Sequence, residues 1–121
     1  MSIFTQLPEE RILYRNGHFF IIKDGYPISP GHMLIISNEP KKTFFELSVA
    51  EQGSLLPMIL IAKKLIEKEY QPDGYNIGMN CGEAAGQTVM HFHCHVIPRY
   101  KGDMEDPRGG VRHCIEGKGH Y

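Results

Sequence analysis

Residues 91–97 read His-Phe-His-Cys-His-Val-Ile, three imidazoles at every second position with apolar side chains between them. That spacing is the two-residue period of a β-strand. Successive strand residues point to opposite faces, so His91, His93 and His95 form a row on one face, with neighbours about 6.6 Å apart. Phe92, Cys94 and Val96 then face the other way, into a core. The chain must therefore build a sheet in which one strand packs on one side and presents nitrogen groups on the other.

The other elements follow from local signals. Arg11–Asn16 alternates polar and apolar residues, and His18–Lys23 is rich in aromatic and β-branched ones. Asn16-Gly17 between them predicts a hairpin with an Asn-Gly turn. Asp24–Gly31, dense in Gly and Pro, is a loop, and His32–Ser37 a third, mostly buried strand whose first residue is a histidine. Thr43-x-x-Glu46 and Ser48-x-x-Glu51 both have the capping-box form, so two helix starts are expected. The first is a single turn. The second runs from about Val49 to about Glu69, with Leu55, Leu56, Ile59, Leu60, Ala62, Leu65 and Ile66 on a broad apolar face and a kink at Pro57. Gln71–Gly74 is a turn, Tyr75–Asn80 a fourth strand, Cys81–Gly86 a small-residue loop and Thr88–Tyr100 a fifth strand. Residues from about 104 to 121 read as an extended tail.

At 121 residues the chain has room for one compact core, so a single domain over 1–121 is expected. Its apolar runs fall short of a membrane helix, which predicts a soluble protein with no membrane partner. No basic leader with a cleavage site opens it, and Cys81, Cys94 and Cys114 make no C-x-x-C pair. Both features point to free thiols in the reducing cytoplasm. A net charge of −1 argues against nucleic-acid binding. Yet Gly86–Lys101 contains no carboxylate while holding three histidines, Arg99 and Lys101, so an anion can be received there.

Crowded, partly buried imidazoles resist protonation, which keeps at least one of the three neutral near pH 7. A neutral imidazole is a nucleophile, and flanking rings can donate hydrogen bonds to a phosphate. His93, in the middle, has help on both sides. Two other readings remain open at this level: a row that merely fills a polar sheet face, and a metal site. The strand supplies no carboxylate or thiolate facing the same way, which weighs against the metal.

His91-Phe92-His93-Cys94-His95-Val96-Ile97 resembles the signature of the histidine triad family of nucleotide hydrolases and transferases, three histidines alternating with apolar residues and closed by two more. The similarity extends to HFFIIKDGYPISPGHMLIIS, which looks like the family's nucleotide-binding half, and to YNIGMNCGEAAGQTVMHFHCHVIPRYKGD, its catalytic half. The ending HVIPRYKGD is more similar to the branches that hydrolyse diadenosine polyphosphates, the fragile-histidine-triad-like proteins among them, than to the phosphoramidate-hydrolysing branch. The resemblance implies an α+β domain with a five-stranded antiparallel sheet, one long and one short helix, and a symmetric homodimer with the long helix at the interface.

It also implies a two-step reaction on a purine nucleotide such as a dinucleoside polyphosphate. His93 attacks the α-phosphate, the leaving group departs, and water releases the nucleotidyl group. His91 and His95 would orient the nucleophile and donate to the phosphate, and His32 matches the family's fourth histidine. Gln87 and Thr88 match residues that approach the phosphate and leaving group, and Asn80 one near the phosphates or ribose. Asp24 stands at the ribose-binding position, although Asp24-Gly25 is also a frequent turn-forming pair. Phe20 and Ile22 are candidates for the wall of the base pocket. No cofactor is required, and Mg²⁺ can accompany a polyphosphate substrate. Some members carry a zinc site that begins with Cys-x-x-Cys; the corresponding stretch here is Ser2-Ile3-Phe4-Thr5, whose hydroxyls are poor zinc ligands. His18, His113 and His120 have no expected role. The alternative functions are a nucleotide-binding sensor or interaction protein with little turnover, or a phosphoramidate hydrolase of the same family.

Overall fold

A computed structural model describes residues 2–121. Five strands form one antiparallel sheet, β1 (Ile12–Arg15), β2 (Phe19–Lys23), β3 (Met33–Ser37), β4 (Gly74–Gly78) and β5 (His93–Arg99), in the order β1-β2-β3-β5-β4. One helix, α1 (Val49–Glu67), lies on one face, preceded by a 3-10 turn at Phe44–Glu46. This is the α+β architecture that the family resemblance implies, and the number of strands agrees with the five strand signals. No helix among the described residues is long and apolar enough to cross a membrane.

Both capping boxes form, Thr43 with Glu46 and Ser48 with Glu51. In the second, Glu51 N–H donates to Ser48 Oγ at 3.1 Å and Ser48 N–H to Glu51 Oε1 at 2.7 Å. The β1–β2 hairpin forms by a different device from the expected Asn-Gly turn. Gly17 is not in the left-handed region; instead Asn16 Oδ1 accepts the N–H groups of His18 and Phe19 at 2.8 and 2.9 Å. The side chain of Asn16 thus supplies the turn that a positive φ would otherwise provide.

The central strands β2 and β3 are covered on both sides, which explains their continuous apolar runs. Toward the helix, Phe19, Ile21, Met33, Ile35, Cys94 and Val96 meet Leu55, Met58, Ala62 and Ile66. Positions 55, 58, 62 and 66 are one stripe of a helix, and each large apolar side chain buried there contributes about 1.5–3 kcal/mol. On the opposite side Phe20, Ile22, Leu34 and Ile36 pack under Phe4, with Leu7, Ile12 and Val89 beside them.

Four further expectations change. The broad apolar face of α1 is divided: Leu55, Ala62 and Ile66 are buried, whereas Leu56 and Leu60 are 69% and 63% exposed. The helix ends at Glu67 and runs unbroken through Pro57; both Pro57 and Gly53, the residue whose carbonyl loses its N–H partner, are exposed, where water can take the bond. Strand β5 starts at His93 instead of Thr88. Before it, Phe92 N–H turns to the Lys41 carbonyl at 2.6 Å and the chain bends through Val89–His91. Pro98 sits inside β5, opposite Tyr75, with its carbonyl taking a hydrogen bond from Ser29 Oγ. Its missing donor therefore points at a loop, and no ladder bond is lost. Residues 104–121, expected to be extended, contain a 3-10 turn at Gly110–Cys114.

Candidate active site

Strand register carries the apolar floor of the site directly into the histidines. Ile22 pairs with Leu34 and Leu34 with His95; Phe20 pairs with Ile36 and Ile36 with His93. Directly paired residues share a face, so Phe20 and Ile22 lie on the histidine side. They are buried beneath the N-terminal residues, and so form a floor instead of an open wall.

The hydrogen bonds fix one tautomer for each ring when neutral, because a carbonyl only accepts and an N–H only donates. His93 Nδ1–H donates to the His91 carbonyl at 2.8 Å, which leaves Nε2 with a free lone pair. Ile28 N–H donates to His32 Nδ1 at 3.3 Å, so His32 carries its proton on Nε2 and gives it to His95 Nδ1 at 2.9 Å. The His95 proton is therefore on its own Nε2. Beside a nucleophilic nitrogen on His93 stands a donor on His95, with ring centroids 5.3 Å apart.

Asp24 closes the turn and also reaches the histidine cluster. Its Oδ1 accepts the Tyr26 N–H at 2.8 Å, closing the turn, and its Oδ2 lies 3.3 Å from His32 Nε2 and 3.9 Å from His95 Nδ1. Lys23, Asp24, the loop residues Pro27–Gly31, His32 and Tyr70 line an open cavity of about 430 Å³. Asp24, His32 and His95 bring three metal-ligating atoms within 4.8 Å of one another. The surrounding polarity suits a proton relay better than a metal. A metal-bound histidine normally donates through its second nitrogen, whereas His32 Nδ1 accepts from Ile28.

Burial favours the neutral form of His95, His32 and His91. It lowers His95 to about 4, helped by repulsion from His93 and His32 and opposed by Asp24. His32 is lowered by burial against the pull of Asp24. His91 is lowered by burial and by His93, against its bond to the Ser37 carbonyl.

Two candidates take different places from those expected. His91 precedes β5 and is 1% exposed, with Nε2–H donating to the Ser37 carbonyl and Nδ1 against Ser2 Oγ, both at 2.7 Å. Both ring nitrogens are engaged, so it holds the frame and does not donate to a phosphate. Gln87 is also buried. Its Nε2 donates to the carbonyls of Lys42 and Val89 at 2.7 and 3.1 Å, and its Oε1 accepts Gly82 N–H at 2.8 Å. It clamps the loop, and both of its Nε2 protons are committed within the protein. Thr88 and Asn80, by contrast, are exposed. Arg99 is neutralised by a two-pronged pair with Asp103 and a bond to Asn76 Oδ1, while Lys101 remains exposed. His113 donates to the Arg108 carbonyl within the tail.

Four contributors had no local signature: Ser2, Phe4, Ile28 and Ser37. Phe4 packs edge-on against His91 and His93, with centroids 5.6 and 5.1 Å away. Its apolar character was visible in the sequence, but its target lies far along the chain.

A mixed α-and-β domain with a histidine row beside an apolar sheet face is the class that fold and site define. The HIT domain family model matches residues 6–102, and the chain belongs to that family. It is 38% identical over 104 residues to bis(5′-nucleosyl)-tetraphosphatase (asymmetrical) of Schizosaccharomyces pombe, covering 85% of this chain and 57% of that one. It is 30% identical over 106 residues to AP-4-A phosphorylase of Mycobacterium tuberculosis, covering 83% and 54%. The chain thus spans little more than half the length of these relatives. A crystal structure of a HIT family protein from Bacillus anthracis superposes with a TM-score of 0.76 at 31% identity, covering 84% of this chain and 75% of that one.

Proposed function

We propose that the protein is a nucleotide hydrolase or transferase that cleaves purine nucleotides at the α-phosphate, dinucleoside polyphosphates foremost, through a nucleotidyl-histidine on His93. The observation that carries this reading is the pair of opposite tautomers, a free lone pair on His93 Nε2 beside an N–H on His95. The names of the relatives that cleave dinucleoside tetraphosphates support the substrate class.

In the first step His93 Nε2 forms a bond to phosphorus and the bond from phosphorus to the leaving oxygen breaks. The imidazole becomes cationic, and its Nδ1–H bond to the His91 carbonyl strengthens as that charge develops. His95 Nε2–H donates to a phosphate oxygen, and Asp24 Oδ2 has the chemistry to accept from ribose hydroxyls. In the second step water attacks phosphorus, the nitrogen–phosphorus bond breaks and His93 is regenerated. Thr88 and Asn80, exposed beside the loop that Gln87 clamps, are the side chains free to meet the phosphates. No protein-bound metal enters this scheme, and Mg²⁺ arrives only on a polyphosphate.

Rapid quenching with diadenosine tetraphosphate, followed by peptide mapping, should find an adenylyl group on His93. Tight binding with no adduct and no turnover would favour a sensor instead. Three unpaired cysteines support a cytoplasmic setting. Exposed Val49, Leu56 and Leu60 on α1 and the open edge strand β4 support a homodimer. Leu56→Glu should then halve the mass seen by light scattering.

A further inference from the structure

The first histidine of the row sits in a frame that its neighbours lack. Its Nε2 proton is committed to the Ser37 carbonyl, so Nδ1 has only a lone pair to offer, and the Ser2 hydroxyl that meets it at 2.7 Å must donate. The same oxygen accepts the Phe4 N–H at 3.1 Å, which closes the first 3-10 turn and turns the hydroxyl proton toward the ring. Thr5 Oγ1 donates to the Ser2 carbonyl at 2.8 Å and stiffens that turn. One hydroxyl therefore ties the N-terminal turn to a residue 89 positions away. Phe4, carried by that turn, lies edge-on to the His93 ring.

We propose that Ser2 is a positioning residue for the nucleophile, acting through the His91 ring and through Phe4. The inference rests on the nucleotidyl-transfer reading above for its kinetic consequence, but not for its structural one. His91 supplies the carbonyl that holds His93 Nδ1–H, and Phe4 and His95 contact the His93 ring. When His91 Nδ1 loses its donor, a buried lone pair is left unmatched, and taking up a proton becomes more favourable for that ring. A cation then stands beside His93 and draws on the same charge that phosphorus attack creates. Asp24, the ribose acceptor in this reading, contacts His32 and His95 instead of His91. Loss of Ser2 therefore falls on the chemical step and spares nucleotide binding.

Wild type, Ser2→Ala and Ser2→Thr can be compared on diadenosine tetraphosphate from about pH 5 to about pH 8, with the tautomers of His91 and His93 read by nitrogen-15 NMR. Ser2→Ala should lower kcat about tenfold with KM within about twofold. Its acidic limb should move to higher pH, and the Nε2–H tautomer signal of His91 should weaken. Ser2→Thr, which keeps the hydroxyl, should recover most of the rate. Wild-type kcat and pH profile in Ser2→Ala, or no recovery in Ser2→Thr, would overturn the proposal. If wild type itself turns over no nucleotide, the functional reading fails separately and NMR alone decides the role of Ser2. Unchanged His91 and His93 tautomers in Ser2→Ala then refute it, and a changed His91 signal restored by Ser2→Thr upholds it.

Discussion

The two faces of β5 are built from the same seven residues and ordered by different physics. On the helix side Cys94, Val96 and Pro98 disappear into a dry core where shape and apolar area set positions. On the other side His93 and His95 are only partly buried, and directional bonds to His91, His32 and loop backbone hold them. Packing against α1 makes the strand stable. Hydrogen-bond polarity on the reverse decides which nitrogen keeps its lone pair. In the proposed function, stability and chemistry occupy opposite faces of one strand, and should respond separately to substitution.

The sharpest way to break that contrast is a pair of variants. His93→Ala should reduce turnover by about 10⁴-fold while leaving the melting temperature close to wild type, as steady-state kinetics and calorimetry would register. Met58→Ala, on the buried stripe of α1, should do the reverse, costing about 2–5 kcal/mol in denaturant unfolding with kcat of the folded fraction nearly unchanged. A His93 variant that lost its fold along with its activity would mean the two faces are not independent.

Titration sharpens the same comparison. His95 is lowered from 6.5 to about 4, so the unfolded chain takes up its proton first as pH falls. Its contribution, up to about 3 kcal/mol, is full above pH 6.5 and is lost between there and about pH 4. His32 and His91 are lowered too and act in the same direction. On the helix side, burial raises Cys94 from 9.0 to about 11, so its contribution is intact below pH 9 and declines above it. Unfolding curves across pH should show the acid loss weakened in His95→Gln and the alkaline loss weakened in Cys94→Val. The smallest effect is expected for Gln87→Ala. Stripping the loop of its clamp should cost about 1–3 kcal/mol in stability. Nucleotide affinity should fall only modestly; a loss of turnover as deep as that of His93→Ala would return Gln87 to the chemistry.

Much of the fold was legible because its signals are local. Both capping boxes, the β1–β2 hairpin and the alternating burial of β5 follow from residues within four positions of one another. The histidine row was legible in part for the same reason, since alternation puts His93 and His95 on one face, whereas Asp24 and His32 entered as candidates only through the family resemblance. What local signals missed was occupancy. Gln87 and His91 are the residue types that meet phosphates, yet every group they could offer is already bonded within the protein. Leu56 and Leu60 fit an apolar helix face as well as Leu55 does, and only the position of the sheet separates them.

The amino-acid order by itself determined a five-stranded sheet, a capped helix and a strand with imidazoles on one side, since backbone period and short-range hydrogen bonding need no distant partner. Tertiary structure decided which nitrogen of each imidazole is free. That choice depends on a carbonyl 54 residues from His91, on a ring 63 residues from His95 and on a hydroxyl 89 residues from His91. A proton on a neutral imidazole has two nearly equal homes, and only groups brought in by folding make one of them better.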